Sequence, residues 1–202
     1  KVQKPPTETK QGQPASGQSA KETAAAKQQG EGLLTKDQTL AKCMEIANQE
    51  QVLISQFAKD KATHADVKEF AATLEKAHQA VWEQLKALLP EGESNSGTFR
   101  TVSATRSGNV PTVDFLQLRQ EISTQCLTDG KKYLSQKQGS EFDQCFVAMQ
   151  IAKHSGERSN LTVLQRHATG KLQELIKSNL ETNAHHMEAA VGLMKKLTDS
   201  DS

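Results

Sequence analysis

The sequence predicts an all-α protein: an antiparallel four-helix bundle with an extra helical excursion between the second and third long helices. Three observations carry this. From Lys36 onward, apolar residues recur every three or four positions, the period of amphipathic helices. Aromatic residues make up only 4% of the chain, Pro occurs five times, and Ala, Gln, Lys and Leu abound, a composition that disfavours strands. Short turns near His64 and Gly170 fold the long helices into two hairpins, and four apolar stripes bury most simply against one another.

Residues 1–32 stand apart. Gln, Lys, Ala, Gly, Thr, Glu, Pro and Ser dominate, and Val2 is the one larger apolar side chain. Such a stretch cannot bury enough surface to offset its ordering entropy, so it reads as a low-complexity linker ahead of a bundle domain over 33–202. The chain opens on Lys rather than Met, which fits a leader already removed and equally a boundary set by design.

The first helix is predicted over 36–61, with Thr35 as N-cap and a stripe of Leu40, Cys43, Ala47, Ile54, Phe57 and Ala58. The second spans 65–89, with Val67, Phe70, Leu74, Val81, Leu85 and Leu88, and Pro90 and Gly92 end it. The excursion covers 91–139. Its first part, 91–112, is rich in Ser, Gly, Thr and Asn and reads as a loop. Its second part, 113–136, is a weaker helix through Phe115, Leu118, Ile122 and Cys126, interrupted by Gly130 and closed by Gly139. The third long helix spans 140–167 (Phe142, Phe146, Met149, Leu161, Leu164). The fourth spans 171–197 (Leu172, Leu175, Ile176, Met187, Ala190, Leu193, Met194, Leu197).

Several function classes are excluded. Lys+Arg 25 against Asp+Glu 24 leave a formal charge of +1, so no basic surface calls for nucleic acid. Trp82 and Tyr133 are single, so there is no stacking platform. Apolar runs are too short for a transmembrane helix. Phosphate-cradling glycine loops, a Gly-x-Ser-x-Gly elbow and a His-Glu-x-x-His pair are all missing, which points to a binding or scaffold protein rather than an enzyme. Cys43, Cys126 and Cys145 fit no zinc spacing and read as small buried hydrophobes, with a Cys126–Cys145 bridge as the alternative in an oxidising compartment.

The informative residues are polar ones on apolar stripes. At 100° per residue, Glu50 falls between Cys43, Ala47, Ile54 and Phe57, and His78 between Leu74, Val81 and Leu85. His186 falls between Asn183, Met187 and Ala190, whereas His185 points away. On the third long helix Asp143, Gln150, Glu157 and Leu161 share a line with His154 at its edge. Glu50, His78, His154 and His186 each stand about 14 to 17 residues from their hairpin turn, so antiparallel packing puts all four within roughly 5 Å of one level. One carboxylate and three imidazoles on facing helices are the donor set of a zinc, iron or copper site. The competing reading is a buried polar network with Glu50 paired to imidazole and no ion. Asp143, Glu157 and Glu75 are further candidate ligands. Glu75-Lys-Ala-His78 has the Glu-x-x-His spacing of di-iron bundles, but the fourth helix has none, so a full di-iron set is absent. His64 and His167 sit at turns and read as capping or surface residues.

The run Ile54-Ser-Gln-Phe-Ala-Lys-Asp-Lys-Ala-Thr-His-Ala-Asp-Val-Lys-Glu-Phe-Ala71, then Lys76-Ala-His78, Phe142-Asp-Gln-Cys-Phe-Val-Ala-Met149, His154, and Leu180 with His186-Met187 and Ala190, resembles a known family. It is the ferritin-like domain-of-unknown-function family of exported bacterial proteins, often labelled "predicted outer membrane protein". The resemblance covers 36–90 and 140–197. Glu50, His78, Asp143, His154 and His186 match its pattern, while Ala77 stands where the family has Asp, Glu181 where it has Pro, and the 91–139 excursion is longer. The resemblance implies a ferritin-like fold, a removed signal peptide, and an extracytoplasmic location in the periplasm or at the outer membrane. It implies no activity. Two roles remain open: a mid-bundle Glu/His site that takes a transition metal, or an envelope scaffold that meets an unknown protein partner through the excursion or an exposed face. A metal-dependent oxidase or hydrolase would need an open ligand position as well.

Overall fold

The computed structural model describes residues 34–90 and 114–199. The predicted linker 1–32 and loop 91–112 lie outside these residues. The described residues form five helices and no strand: α1 (Lys36–Lys61), α2 (Ala65–Lys86), α3 (Phe115–Ser135), α4 (Gly139–His167) and α5 (Gly170–Asp199).

Each helix start has a local cause. Thr35 caps α1 in a capping box: its hydroxyl accepts from Gln38 N, and its own N–H donates to the Gln38 side chain. His64 caps α2 by accepting from Asp66 N at 3.2 Å, the capping role expected of it. Asp114 caps α3 by accepting from Leu116 N and Gln117 N. Gly139 and Gly170 open α4 and α5 with φ of +56° and +50°, a region where a side chain would be strained. Gly139 therefore belongs to the start of α4 and is not the end of the helix before it. α2 stops at Lys86, three residues short of the expected end, and continues as a turn towards Pro90. Gly130 does not interrupt α3. It lies inside that helix opposite Met149 and Ile54, and the surrounding packing offsets the cost of about 1 kcal/mol for a helical glycine.

α1 packs along α2 and also against α3 and α4, while α4 packs along α5. With neighbours on several sides, α1 buries more than one face. Ala41, Met44, Ile46, Val52, Ile54 and Ala58 are inside, together with Asn48, Gln51 and Ser55. The predicted single stripe through Cys43, Ala47 and Phe57 is only half-buried. In α2, by contrast, Val67, Phe70, Leu74 and Leu85 are buried as their spacing requires.

The apolar core is in two parts. One holds Ile54, Ala58, Val67, Phe70, Leu74, Leu134, Phe142, Phe146, Ala190, Leu193 and Leu197. The other holds Ala41, Met44, Leu85, Leu161, Leu172 and Ile176. On α1, α2, α4 and α5 alike, the residues between the two are polar and buried: Asn48 and Gln51, His78, Gln150 and His154, and Asn179, Asn183 and His186. The functional question concerns this layer.

The three cysteines are free thiols, and none is fully buried: Cys126 is exposed, and Cys145 Sγ lies 3.6 Å from the Tyr133 hydroxyl. No helix among the described residues is long and apolar enough to cross a membrane.

Candidate functional site

Helical spacing puts the layer's side chains inside. In α5 the series Leu172, Ile176, Asn179, Asn183, His186, Ala190, Leu193, Leu197 advances by three or four throughout, so the polar members occupy an apolar register. Gln150 and His154 do the same on α4, and His78 follows Leu74 on α2.

The three imidazoles meet. Ring centroids are 5.6 Å apart for His78–His154, 5.6 Å for His78–His186 and 5.2 Å for His154–His186, a nearly equilateral triangle. One ring nitrogen from each lies within 4.8 Å of the others. His154 is fully buried, and His78 and His186 are 5% and 7% exposed.

Hydrogen bonds set the tautomers. Asn48 Nδ2 donates to Met44 O at 2.8 Å, which fixes the amide so that its oxygen faces His78. His78 Nδ1 lies 2.8 Å from that oxygen, and an amide oxygen only accepts, so Nδ1 carries the proton. His78 Nε2 is then a lone pair, and it is buried without a partner. On α4, His154 Nδ1 donates to the Gln150 carbonyl at 2.9 Å, leaving Nε2 as an acceptor, and His186 Nδ1 donates to it at 3.2 Å. Asn183 Nδ2 donates to His154 O at 3.1 Å and reaches Glu157 Oε2 at 3.5 Å.

All three imidazoles are held neutral. Burial pushes His78 well below its ordinary value, reinforced by His154, His186 and Lys153. Burial lowers His154 as well, although the bond to Gln150 O opposes it. Burial, then His154 and His185, lower His186 to about 4. Beside them burial raises the Glu157 carboxyl to about 7, against the pull of Lys153 and Asn183. Around the triangle is a cavity of about 10 Å³, the scale of one water or one ion. Glu157, Asn179, Thr182 and Asn183 complete its polar wall, and Ala77 and Val81 its apolar one.

The carboxylates expected here go elsewhere, except for Glu157. Glu50 accepts from Ser123 Oγ at 2.6 Å and from Lys153 Nζ, tying α1 to α3 and α4. Asn48, two residues earlier, is the α1 side chain that reaches the histidines. Asp143 is fully committed to the α1–α2 turn. It accepts from Thr63 N at 3.0 and 3.2 Å, from Thr63 Oγ1 at 2.6 Å and from His64 N at 2.8 Å. Glu75 accepts from Gln56 Nε2 and Lys59 Nζ, and the bond to Lys59 holds its carboxyl below the usual range. His167 and His185 are exposed.

Apolar periodicity missed Asn48, Gln51 and Asn179, and gave Asn183 only as a neighbour of His186. A signal was present: Asn48-Gln51-Ser55, Gln150-His154-Glu157 and Asn179-Asn183-His186 each carry polar residues at helical spacing in line with an apolar stripe.

No curated protein and no solved structure matches the chain. A family model described as "Domain of unknown function (DUF4142)" matches residues 19–193, most of the 202-residue chain, and the chain belongs to that family.

Proposed function

We propose that the protein binds one transition-metal ion, zinc, iron or copper, through His78, His154 and His186. The observation that carries this is the convergence of three buried, neutral imidazoles from α2, α4 and α5, with ring nitrogens within 4.8 Å and His78 Nε2 unpartnered. A tetrahedral zinc with bonds near 2.0–2.1 Å separates its ligand nitrogens by about 3.4 Å, so a small inward shift completes the site. All three rings are neutral, so binding needs no net deprotonation; the His186–His154 hydrogen bond is given up as both rings turn lone pairs to the ion. Asn48 and the Gln150 carbonyl supply the outer hydrogen bonds that orient metal-bound imidazoles.

The same reading takes the fold as an antiparallel, ferritin-like bundle. Pairs between α1 and α2 support it: Glu45–Trp82, Asn48–His78 and Lys59–Glu75 run up one helix as they run down the other. It also takes the protein as exported, on the resemblance of 36–90 and 140–197 to exported bundles.

The test is metal content by elemental mass spectrometry on tag-free protein, beside a His78→Ala, His186→Ala double variant. Near-stoichiometric metal in the parent, lost in the variant, supports the proposal. No metal in either, after incubation with zinc, iron and copper salts, makes the layer a structural polar network.

A second reading, a scaffold that meets a protein partner through α3, is favoured by Phe115, Leu118 and Ile122. They are 62%, 43% and 46% exposed and lie along one side of that helix. Replacing Leu118 and Ile122 by Ser would abolish partner capture under this reading and leave metal content untouched.

A further inference from the structure

We infer that the fourth coordination position of this centre is held open for an exchangeable water, anchored by Asn183, and that it admits exogenous ligands of one to three atoms. The inference rests on the metal reading above.

Its added observation is a second unpartnered acceptor, Asn183 Oδ1, besides His78 Nε2. Two residues that line the cavity beside the triangle each carry a buried acceptor without a partner, His78 Nε2 and Asn183 Oδ1. Asn183 is 3% exposed, and its orientation is not free. Its Nδ2 is bound to the His154 carbonyl, which only accepts, so Oδ1 is turned the other way. A buried acceptor left bare is costly, and two on residues lining one small cavity call for an occupant that is electron-poor on both sides. In the metal-free protein a lone water can donate to both, since His154 and His186 already bond to Gln150 O and to each other. An ion with one coordinated water answers both acceptors together. The ion takes the His78 lone pair, and the water, acidified by the ion, donates to Asn183 Oδ1. Three protein ligands with a water in the fourth place is the open type of zinc site, in contrast to closed four-ligand structural sites.

The volume limits what can replace that water. With the ion drawn in among the three ring nitrogens, about 10 Å³ is the room of one water, enough for the first atom of a slim anion and too little for an aromatic ring.

Cobalt(II) is the probe, because its visible bands report coordination directly. Wild-type protein is loaded with cobalt, its stoichiometry is measured, and it is titrated separately with azide and with imidazole. The expected result is one tetrahedral cobalt per chain, a saturable spectral change with azide, and none with imidazole. Asn183→Leu removes the acceptor that holds the water, so azide binds several-fold more tightly. Asn183→Asp keeps an acceptor and adds negative charge, so azide binds several-fold more weakly. Failure of the parent to take up cobalt would overturn the metal reading itself. Cobalt uptake with bands indifferent to azide would leave that reading standing and overturn the open position. Azide affinity unchanged in both variants would overturn the role of Asn183.

Discussion

His78 Nδ1–H donates a hydrogen bond to Asn48 Oδ1 across 2.8 Å, and this one bond between α1 and α2 leaves the other ring nitrogen as a free lone pair inside the protein. The Asn48 amide is itself held by the Met44 carbonyl one turn back. The ring is therefore set by protein contacts alone.

Asn48→Leu tests that relationship. It leaves His78 Nδ1 buried with nothing to bond and frees the ring to rotate. Metal affinity should fall about 10- to 100-fold, and the metal-free protein should lose about 1–3 kcal/mol. Competition against a chromophoric chelator reads the first and urea unfolding the second. Unchanged affinity would mean that Asn48 does not orient the ring.

Acid should destabilise the metal-free protein through the histidines. His186 titrates at about 4 when folded and near 6.5 as an ordinary imidazole. The unfolded chain thus binds the proton first, and stability, complete above 6.5, declines as pH falls towards 4. At pH 5 the loss from His186 alone is about 2 kcal/mol. Glu157 works in the opposite sense. Its carboxyl is raised to about 7, so its contribution is full below its ordinary value of 4.5 and is lost as pH rises through 7. Glu157→Gln should therefore steepen the decline between pH 7 and 5. Urea midpoints across that range, for parent and variant, decide it.

Asp143 should prove structural. Asp143→Ala strips the acceptor from Thr63 N, Thr63 Oγ1 and His64 N. The expected cost is about 3 kcal/mol of stability, with Asp143→Asn retaining part of it, and no change in metal stoichiometry. Loss of metal from a variant that still folds would return Asp143 to the ligand set.

Glu50→Gln should likewise keep one metal per chain, because its carboxylate belongs to Ser123 and Lys153. Elemental analysis of the folded variant checks this. A drop to zero would show that Glu50 swings inward to bind.

Part of this arrangement is legible in the sequence. α2 and α5 each face the core along one stripe, so their periodicity located His78 and His186, and counting residues from the turns put His154 at the same height. α1 was harder because it is packed on several sides. Apolar spacing there names no single inward face, and Glu50 stood where Asn48 stands. Asn48, Asn179 and Asn183 carry no hydrophobic signal, and only their alignment with apolar neighbours marks them. The duty of Asp143 depends on a partner 80 positions away in the chain, at Thr63. No local pattern encodes such a pairing.

The central claim is that His78, His154 and His186 enclose an ion. Anomalous diffraction at the zinc edge from zinc-loaded crystals tests it most directly. One strong peak is expected inside the triangle, about 2.0–2.1 Å from a nitrogen of each ring. Zinc found only at exposed histidines such as His167 and His185, with the triangle empty, would contradict it.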